Sequence, residues 1–258
     1  MNITKKIIIP FLLGSFLTIT AALADGPSFT SSLGQADLAV KRHDLQSALR
    51  IYDATRPLQS GNASNLCVLC HRYCDLGYLT DSTGVQKQLL DRALACAQQA
   101  VTDDPKNATA HASLAVCYAK NCRYVDIKTQ LADSRTFKAE AEKAIALDPT
   151  QDVPYYLLGR WNYGIAGLGV LSRTYVKVVY GGLPHASYED AILNFKKACM
   201  LSPNRILNHA GLAMAYEVAG AKTLELVELQ KCCALKPLGP EDVEALKDAR
   251  KKLAEMKG

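Results

Sequence analysis

The sequence predicts an all-α fold built from stacked pairs of antiparallel helices, and the spacing of its prolines is the first indication. Four prolines follow alanine-rich helical segments in the same phase: Pro105, Pro149, Pro203 and Pro237. The last two lie 34 residues apart, a period typical of helix-turn-helix repeats. The two earlier intervals are 44 and 54 residues, so we expect insertions of about 10 and 20 residues in those units.

Small and aromatic residues at fixed offsets are the second indication. In the unit that ends at Pro203 they are Gly159, Ala191, Phe195 and Ala198, a pattern found where the two helices of a repeat pack closely. The third indication is the lack of a competing strand pattern, since only IIIP and YVKVVY are candidates for a strand. We therefore predict a tetratricopeptide-type α-solenoid of antiparallel helix pairs with a C-terminal capping helix.

Taken in order, the chain divides into three predicted segments: a signal peptide over residues 1–24, a linker and degenerate first helix pair over 25–64, and the repeat domain over 65–258. Residues 26–34 are predicted as the linker because Gly, Pro and Ser interrupt helical periodicity there. The first pair is expected at residues 35–41 and 45–54.

Two helices of the repeat domain are predicted to differ from the others: one is lengthened by an insertion, and the last one has a mixed-charge surface. In the unit that ends at Pro203, we expect the insertion to extend the first helix through VLSRTYVKVVY until Gly181 and Gly182 end it. Pro240, followed by two acidic residues, suits the start of the last helix. The mixed charge of that helix predicts a cap that covers the final repeat.

The first 24 residues have the features of an export signal. Lys5 and Lys6 precede a short apolar run, and the small residues Ala22 and Ala24 come just before Asp25. We predict cleavage before Asp25 and an extracytoplasmic location, periplasmic or secreted. The alternative is an uncleaved anchor over residues 7–24, which would make the protein a membrane-anchored cytosolic scaffold.

Nine cysteines in an exported chain would ordinarily suggest disulfides. The number is odd, however, and Cys67, Cys70 and Cys74 fall on one stripe of a helix. Because free cysteine behaves as a small buried hydrophobe, we predict that most of the cysteines fill core positions. We predict no metal site, since ligands from a single rigid helix surface do not easily close a zinc tetrahedron.

One motif leaves a cofactor alternative open. Cys67, Cys70 and His71 form a Cys-x-x-Cys-His sequence, the attachment pattern of a c-type haem. Against haem, Cys74 continues the same packing stripe, and a haem would occupy space that the next helix needs. The main interpretation therefore has no cofactor, and an exported c-type haem protein is the alternative.

Composition and motifs also limit the function class. The net charge of +5 is modest, so a nucleic acid is not expected as a partner. A membrane is expected only if the N-terminal segment is uncleaved. Hydrolase triads, phosphate loops and paired carboxylates are not found in the sequence. His111 and His209 each take an early packing position in a repeat, which favours satisfied core histidines over ligands. We therefore predict that the protein is not an enzyme.

Five segments of the chain show a more specific resemblance: LCVLCHRYCDLGYL, DIKTQLADSRTFKAEAEKAIALDP, YYLLGRWNYGIAGL, SYEDAILNFKKACMLSP and GPEDVEALKDARKKL. In order and insertions, residues 65–253 resemble the regulator of microtubule dynamics family. The resemblance implies a helical repeat scaffold that acts through protein contacts. Cys67 stands where that family usually has tryptophan, and Cys70 with His71 where Ala-Arg is common, so these residues are not carried over from a family site.

The predicted binding surface is the concave face of the solenoid, which the first helices of the pairs line. Its candidate contact residues for a protein or peptide partner are Lys120, Tyr156, Arg160, Tyr163 and Glu217. Tyr and Arg are enriched where binding energy concentrates. The alternative for Tyr156 and Tyr163 is that they pack against the long insertion. The sequence thus predicts a non-enzymatic scaffold that holds a protein or peptide segment in its groove.

Overall fold

A computed structural model of the protein describes residues 28–256. Within this range the chain forms twelve α-helices and one 3₁₀ turn, Arg56–Gln59, without any β-strand. The helices are α1 (Phe29–Lys41), α2 (Leu45–Thr55), α3 (Ala63–Gly77), α4 (Thr83–Asp103), α5 (Ala108–Asn121), α6 (Ile127–Leu147), α7 (Asp152–Ala166), α8 (Val170–Tyr180), α9 (Tyr188–Leu201), α10 (Ile206–Val218), α11 (Lys222–Ala234) and α12 (Pro240–Glu255). The predicted all-α fold is confirmed.

The helices pack as adjacent pairs along the chain. The pairs are α1 with α2, α3 with α4, α5 with α6, α7 with α9, and α10 with α11, while α12 packs on α10 and α11. Each of the four phased prolines follows the second helix of its pair, after α4, α6, α9 and α11. The spacing of the prolines therefore located the repeat units correctly.

Small residues let the paired helices approach closely. On α4, the side chains of Ala93, Cys96, Ala97 and Ala100 are completely buried. Short side chains in such a row leave room for the ridge of the neighbouring helix, so the two axes can lie near the lower end of the usual interaxial range. The buried alanines of the sequence pattern thus lie between the packed helices, and larger apolar residues fill the core around them.

Phe195 on α9 joins two neighbouring units. Its ring is fully buried between Gly159 of α7 and Gly211 of α10. A Cβ atom added at Gly159 would lie 2.7 Å from the ring, and one added at Gly211 would lie 2.4 Å from it. Both distances are too short for real contacts, so only glycine fits at these two positions without displacement of the ring.

Two predicted boundaries are wrong in the structure. Most of the predicted linker at residues 26–34 is helical, because α1 begins at Phe29 and the Ser28 hydroxyl caps it by accepting from the Ser31 amide. The first helix of the α7 unit is not extended by the insertion but ends at Ala166. A separate α8 follows, and its Arg173 donates to the carbonyls of Ile165, Ala166 and Leu168 at the end of α7.

The predicted signal peptide at residues 1–24 and the alternative anchor at 7–24 lie outside the described residues. Of the helices between residues 28 and 256, none combines the length and the apolar character that a bilayer span requires.

Candidate binding groove

The described part of the chain encloses a cavity of about 620 Å³. Residues of α3, α4, α5, α6 and α7 line it, together with residues at the start of α10 and the beginning of α12. Three of the five predicted contact residues, Lys120, Tyr156 and Arg160, are in this lining. We refer to this cavity as the groove.

Lys120 is held by partners on both sides of the groove. Its Nζ donates to Tyr78 Oη at 2.6 Å, lies 4.6 Å from the centre of the Tyr78 ring, and is 3.4 Å from Glu241 Oε1. Burial alone would lower the pKa of the Lys120 ammonium, but Glu241 and Tyr78 raise it above its ordinary value. Burial raises the pKa of Tyr78 to about 12. Lys120 is therefore a positively charged side chain that Tyr78 and Glu241 hold in place in the groove lining.

Tyr156 and Arg160 lie four residues apart on α7, so their side chains share one helix face. The Tyr156 ring packs on Phe195, with ring centroids 5.8 Å apart, and its other side lines the groove. Arg160 is exposed, and within residues 28–256 no carboxylate forms an ion pair with its guanidinium. Together they offer an aromatic surface and an available cation to the interior of the groove.

Among the residues that the structure describes, Tyr163 and Glu217 lie outside the groove lining. Tyr163 packs edge-on against Tyr188 of α9, with ring centroids 5.5 Å apart. Both predicted tyrosines thus contact α9. Glu217 accepts a hydrogen bond from Lys252 of α12. These two residues connect helices of the scaffold in this structure.

Sequence reasoning missed several residues of the lining. Arg123 comes from the loop after α5, Arg205 from the residue before α10, and Glu241 and Glu244 from α12. Arg205 is paired with Asp152 at 3.1 Å, while Arg123 is exposed. The acidic start of α12 was visible in the sequence, but only the three-dimensional path of the chain brings Glu241 to Lys120, which is 121 positions away.

The Cys-x-x-Cys-His segment lies on α3. Cys67 and Cys70 are 3% and 0% exposed and belong to the apolar core between α3 and its neighbours. The His71 Nε2 is 3.1 Å from the Ser113 hydroxyl. A haem joined to both thiols would have to replace this core packing, so the haem alternative is not favoured. All nine cysteines have free thiols; five are buried and four are half-buried, so the majority fill core positions as predicted.

His111 and His209 form the same arrangement in two helix pairs, which we call the histidine clamps. His111 Nδ1 is 2.6 Å from Glu140 Oε2, and its Nε2 is 3.0 Å from the Pro105 carbonyl. His209 Nδ1 is 2.6 Å from Glu228 Oε2, and its Nε2 is 2.7 Å from the Pro203 carbonyl. The hydrogen bonds confirm that both are satisfied core histidines.

A sequence profile of the family described as regulator of microtubule dynamics protein 1-3 matches residues 32–257. The match includes the first helix pair, so the resemblance extends further toward the N-terminus than residue 65. Regulator of microtubule dynamics protein 3 of Xenopus laevis is 30% identical over 135 residues, which are 52% of this chain and 29% of that relative. Protein 1 of Bos taurus is 28% identical over 173 residues, which are 67% of this chain and 54% of that relative.

The chain therefore spans about half, or less, of the length of these curated relatives. Among solved structures, a thermophilic TPR protein of Thermus thermophilus superposes with a TM-score of 0.60 at 14% identity, over 88% of this chain and 100% of that chain. At this level of identity the likeness concerns the fold alone, and it agrees with the tetratricopeptide-type arrangement of the helices.

Proposed function

This chain belongs to the regulator of microtubule dynamics family, and we propose that it is a non-enzymatic scaffold that holds a protein or peptide segment in the groove. The observation that carries the proposal is the pairing of Tyr156 with Arg160 inside an open cavity of about 620 Å³. An aromatic side chain next to an arginine is typical of positions where binding energy concentrates.

The charges of the groove indicate what kind of segment fits. Lys120 and Arg205 already have carboxylate partners, whereas Arg160 and Arg123 have no ion pair within the described part of the chain. Asp81 and Glu244 also line the cavity. A segment that carries both signs of charge, with a carboxylate placed opposite Arg160 and an apolar side chain over Tyr156, complements this surface best.

We further propose an extracytoplasmic location, which rests on the signal sequence at residues 1–24. The printed name of the relatives connects them with microtubule dynamics. In this chain an export signal would separate the scaffold from tubulin, so we expect a different partner. Intact-mass measurement of the mature protein tests this: an N-terminus at Asp25 supports export, and an intact Met1 supports the anchored alternative.

The test of groove binding is a selection of peptides of random sequence displayed on phage, against the immobilised mature chain. We expect recurring peptides that contain a carboxylate near an apolar residue. Their affinities are then measured by fluorescence polarisation with the wild-type chain and with Arg160→Ala. Loss of the guanidinium should lower the affinity by about tenfold, which corresponds to about 1.4 kcal/mol.

The matched control is Arg42→Ala, which removes another exposed arginine at the end of α1, far along the chain from the groove. Its peptide affinity should equal that of the wild-type chain. The proposal is contradicted if Arg42→Ala weakens binding as much as Arg160→Ala does, or if the selection yields no peptide that competes for the groove.

A further inference from the structure

Three thiols from two helices meet beside the groove: Cys70 and Cys74 of α3, and Cys117 of α5. Their Sγ atoms all lie within 4.8 Å of one another, and those of Cys70 and Cys117 are 3.4 Å apart. Cys70 and Cys117 are completely buried, whereas Cys74 is half-buried and lines the groove. We call this group the thiol cluster.

The helical geometry explains why these three cysteines meet. Cys70 and Cys74 are four residues apart on α3 and therefore lie one above the other on the same helix face. That face packs against α5, which contributes Cys117. Cys67, the other member of the sequence stripe, is not part of the cluster. The third sulfur thus comes from a different helix, so the limit that applies to ligands on a single helix does not apply here.

We propose that the thiol cluster binds a soft metal ion with a filled d shell, and that monovalent copper is the ion it fits best. Thiolates select soft ions such as Cu(I) over Mg²⁺, Ca²⁺ or Mn²⁺. With metal–sulfur bonds of about 2.3 Å, a trigonal site has sulfurs about 4.0 Å apart, which is within the separations seen. Structural zinc sites require four ligands, and the cluster offers three among the described residues.

The charge and proton balance of binding are simple. Each thiol that ligates the ion releases its proton to solvent, and copper remains monovalent, so no oxidant or reductant is consumed. Three thiolates and one Cu⁺ leave two negative charges. The Lys120 ammonium, which lines the same cavity and interacts electrostatically with Cys74, offsets part of this charge. The ion reaches the site from the groove, past Cys74.

A second group with ligand-like spacing, Cys199 with His209 and Glu228, is a poorer candidate. There the imidazole and the carboxylate are already bonded to each other at 2.6 Å, and Glu228 also accepts from Lys231 at 2.8 Å. A metal ion would have to break these charged hydrogen bonds. In the thiol cluster it would replace only weak contacts between sulfurs.

The test is a titration of the purified, fully reduced mature chain with Cu(I) under anaerobic conditions, against the chromophoric chelator bicinchoninate. We expect one tightly held ion per chain and, by X-ray absorption at the copper edge, three sulfur neighbours. Cys117→Ala and Cys74→Ser should each lower the affinity by at least about 100-fold, since even the loss of residues that merely support metal ligands costs 10- to 100-fold.

The control is Cys232→Ala, which removes an equally buried thiol on α11 and should bind copper like the wild-type chain. A second measurement needs no variant: bound Cu(I) should slow the alkylation of Cys74 by iodoacetamide, read by peptide mass spectrometry. The proposal is overturned if bicinchoninate removes all the copper, if Cys232→Ala loses as much affinity as Cys117→Ala, if Cys74 is alkylated equally fast with copper, or if the chain retains zinc and not copper.

Discussion

The two histidine clamps contain the same hydrogen bonds but differ in how far their side chains are exposed to water. In both, the histidine follows a repeat-ending proline by six residues and bonds its carbonyl, while a glutamate on the next helix takes the other ring nitrogen. The side chain of Glu140 is 22% exposed, whereas that of Glu228 is only 9% exposed. The first pair is partly open to water, and the second is almost completely enclosed.

The surroundings of the clamps differ as well. Glu228 also pairs with Lys231, and the Cys199 thiol approaches His209, where the first clamp has Val101 at the corresponding place in the chain. Burial by itself would lower the pKa of His209, but its bonds to Cys199, Glu228 and Pro203 raise the pKa to about 10. Two similar sequence positions thus produce one pair that is partly open to water and one enclosed pair in which the histidine pKa is raised.

The largest expected difference between the clamps comes from removal of the glutamates. Glu228→Ala leaves a buried imidazolium without its counter-charge, so we expect it to lower the free energy of unfolding by about 4 kcal/mol. Glu140→Ala, at a site more open to water, should lower it by about 2 kcal/mol. Urea unfolding followed by circular dichroism measures both. Equal losses in the two variants would show that burial does not distinguish the clamps.

A smaller effect is expected from pH at the second clamp. The folded-state pKa of His209 is about 10, above the unfolded value of about 6.5. Its contribution to stability is therefore fully present below pH 6.5 and is lost as the pH rises through about 10. Between pH 7 and pH 10, the stability difference between the wild-type chain and His209→Gln should shrink by on the order of 3 kcal/mol.

Urea midpoints of both proteins across this pH range provide the measurement. Arg42→Gln, a change at an exposed position, serves as the control and should keep a constant difference from the wild-type chain. A difference between wild type and His209→Gln that does not change with pH would mean that His209 is not held in its charged form.

The smallest effect is expected from making the second clamp resemble the first. Cys199→Val gives the second clamp the residue type of Val101 and removes the thiol next to His209. Because the two side chains have similar volumes, the cost in unfolding free energy should be about 1 kcal/mol or less. Thermal unfolding of this variant next to Glu228→Ala ranks the two contributions. If Cys199→Val destabilises the protein as much as Glu228→Ala does, the thiol stabilises the clamp as much as the charged pair, and this prediction is wrong.

The repeat units could be predicted from the sequence because their signals are local. Each proline ends a helix within a few residues, and the alanine pattern reports which face is packed. The two boundaries that were predicted wrongly, the start of α1 and the end of α7, depend on helix capping. Ser28 starts α1 inside a stretch rich in small polar residues, and Arg173 caps the end of α7 from the next helix. Neither effect is visible in hydrophobic periodicity.

The groove was predictable only in part, for a related reason. Lys120, Tyr156 and Arg160 follow from their positions on first helices, which a repeat pattern supplies. The pairing of Lys120 with Glu241, and the meeting of Cys117 with Cys70 and Cys74, join segments far apart in the chain. Such contacts depend on how the units stack, and one sequence without structural information does not encode them in any local pattern.

The contact of Phe195 with Gly159 and Gly211 has a consequence for the shape of the groove. Both glycines lie on α7 and α10, which also contribute to the groove lining, and one aromatic ring fits between them. The absence of two methyl groups therefore allows the three helices to approach closely at this joint. The placement of two helices that contribute to the groove lining therefore depends on residues that are not themselves in that lining.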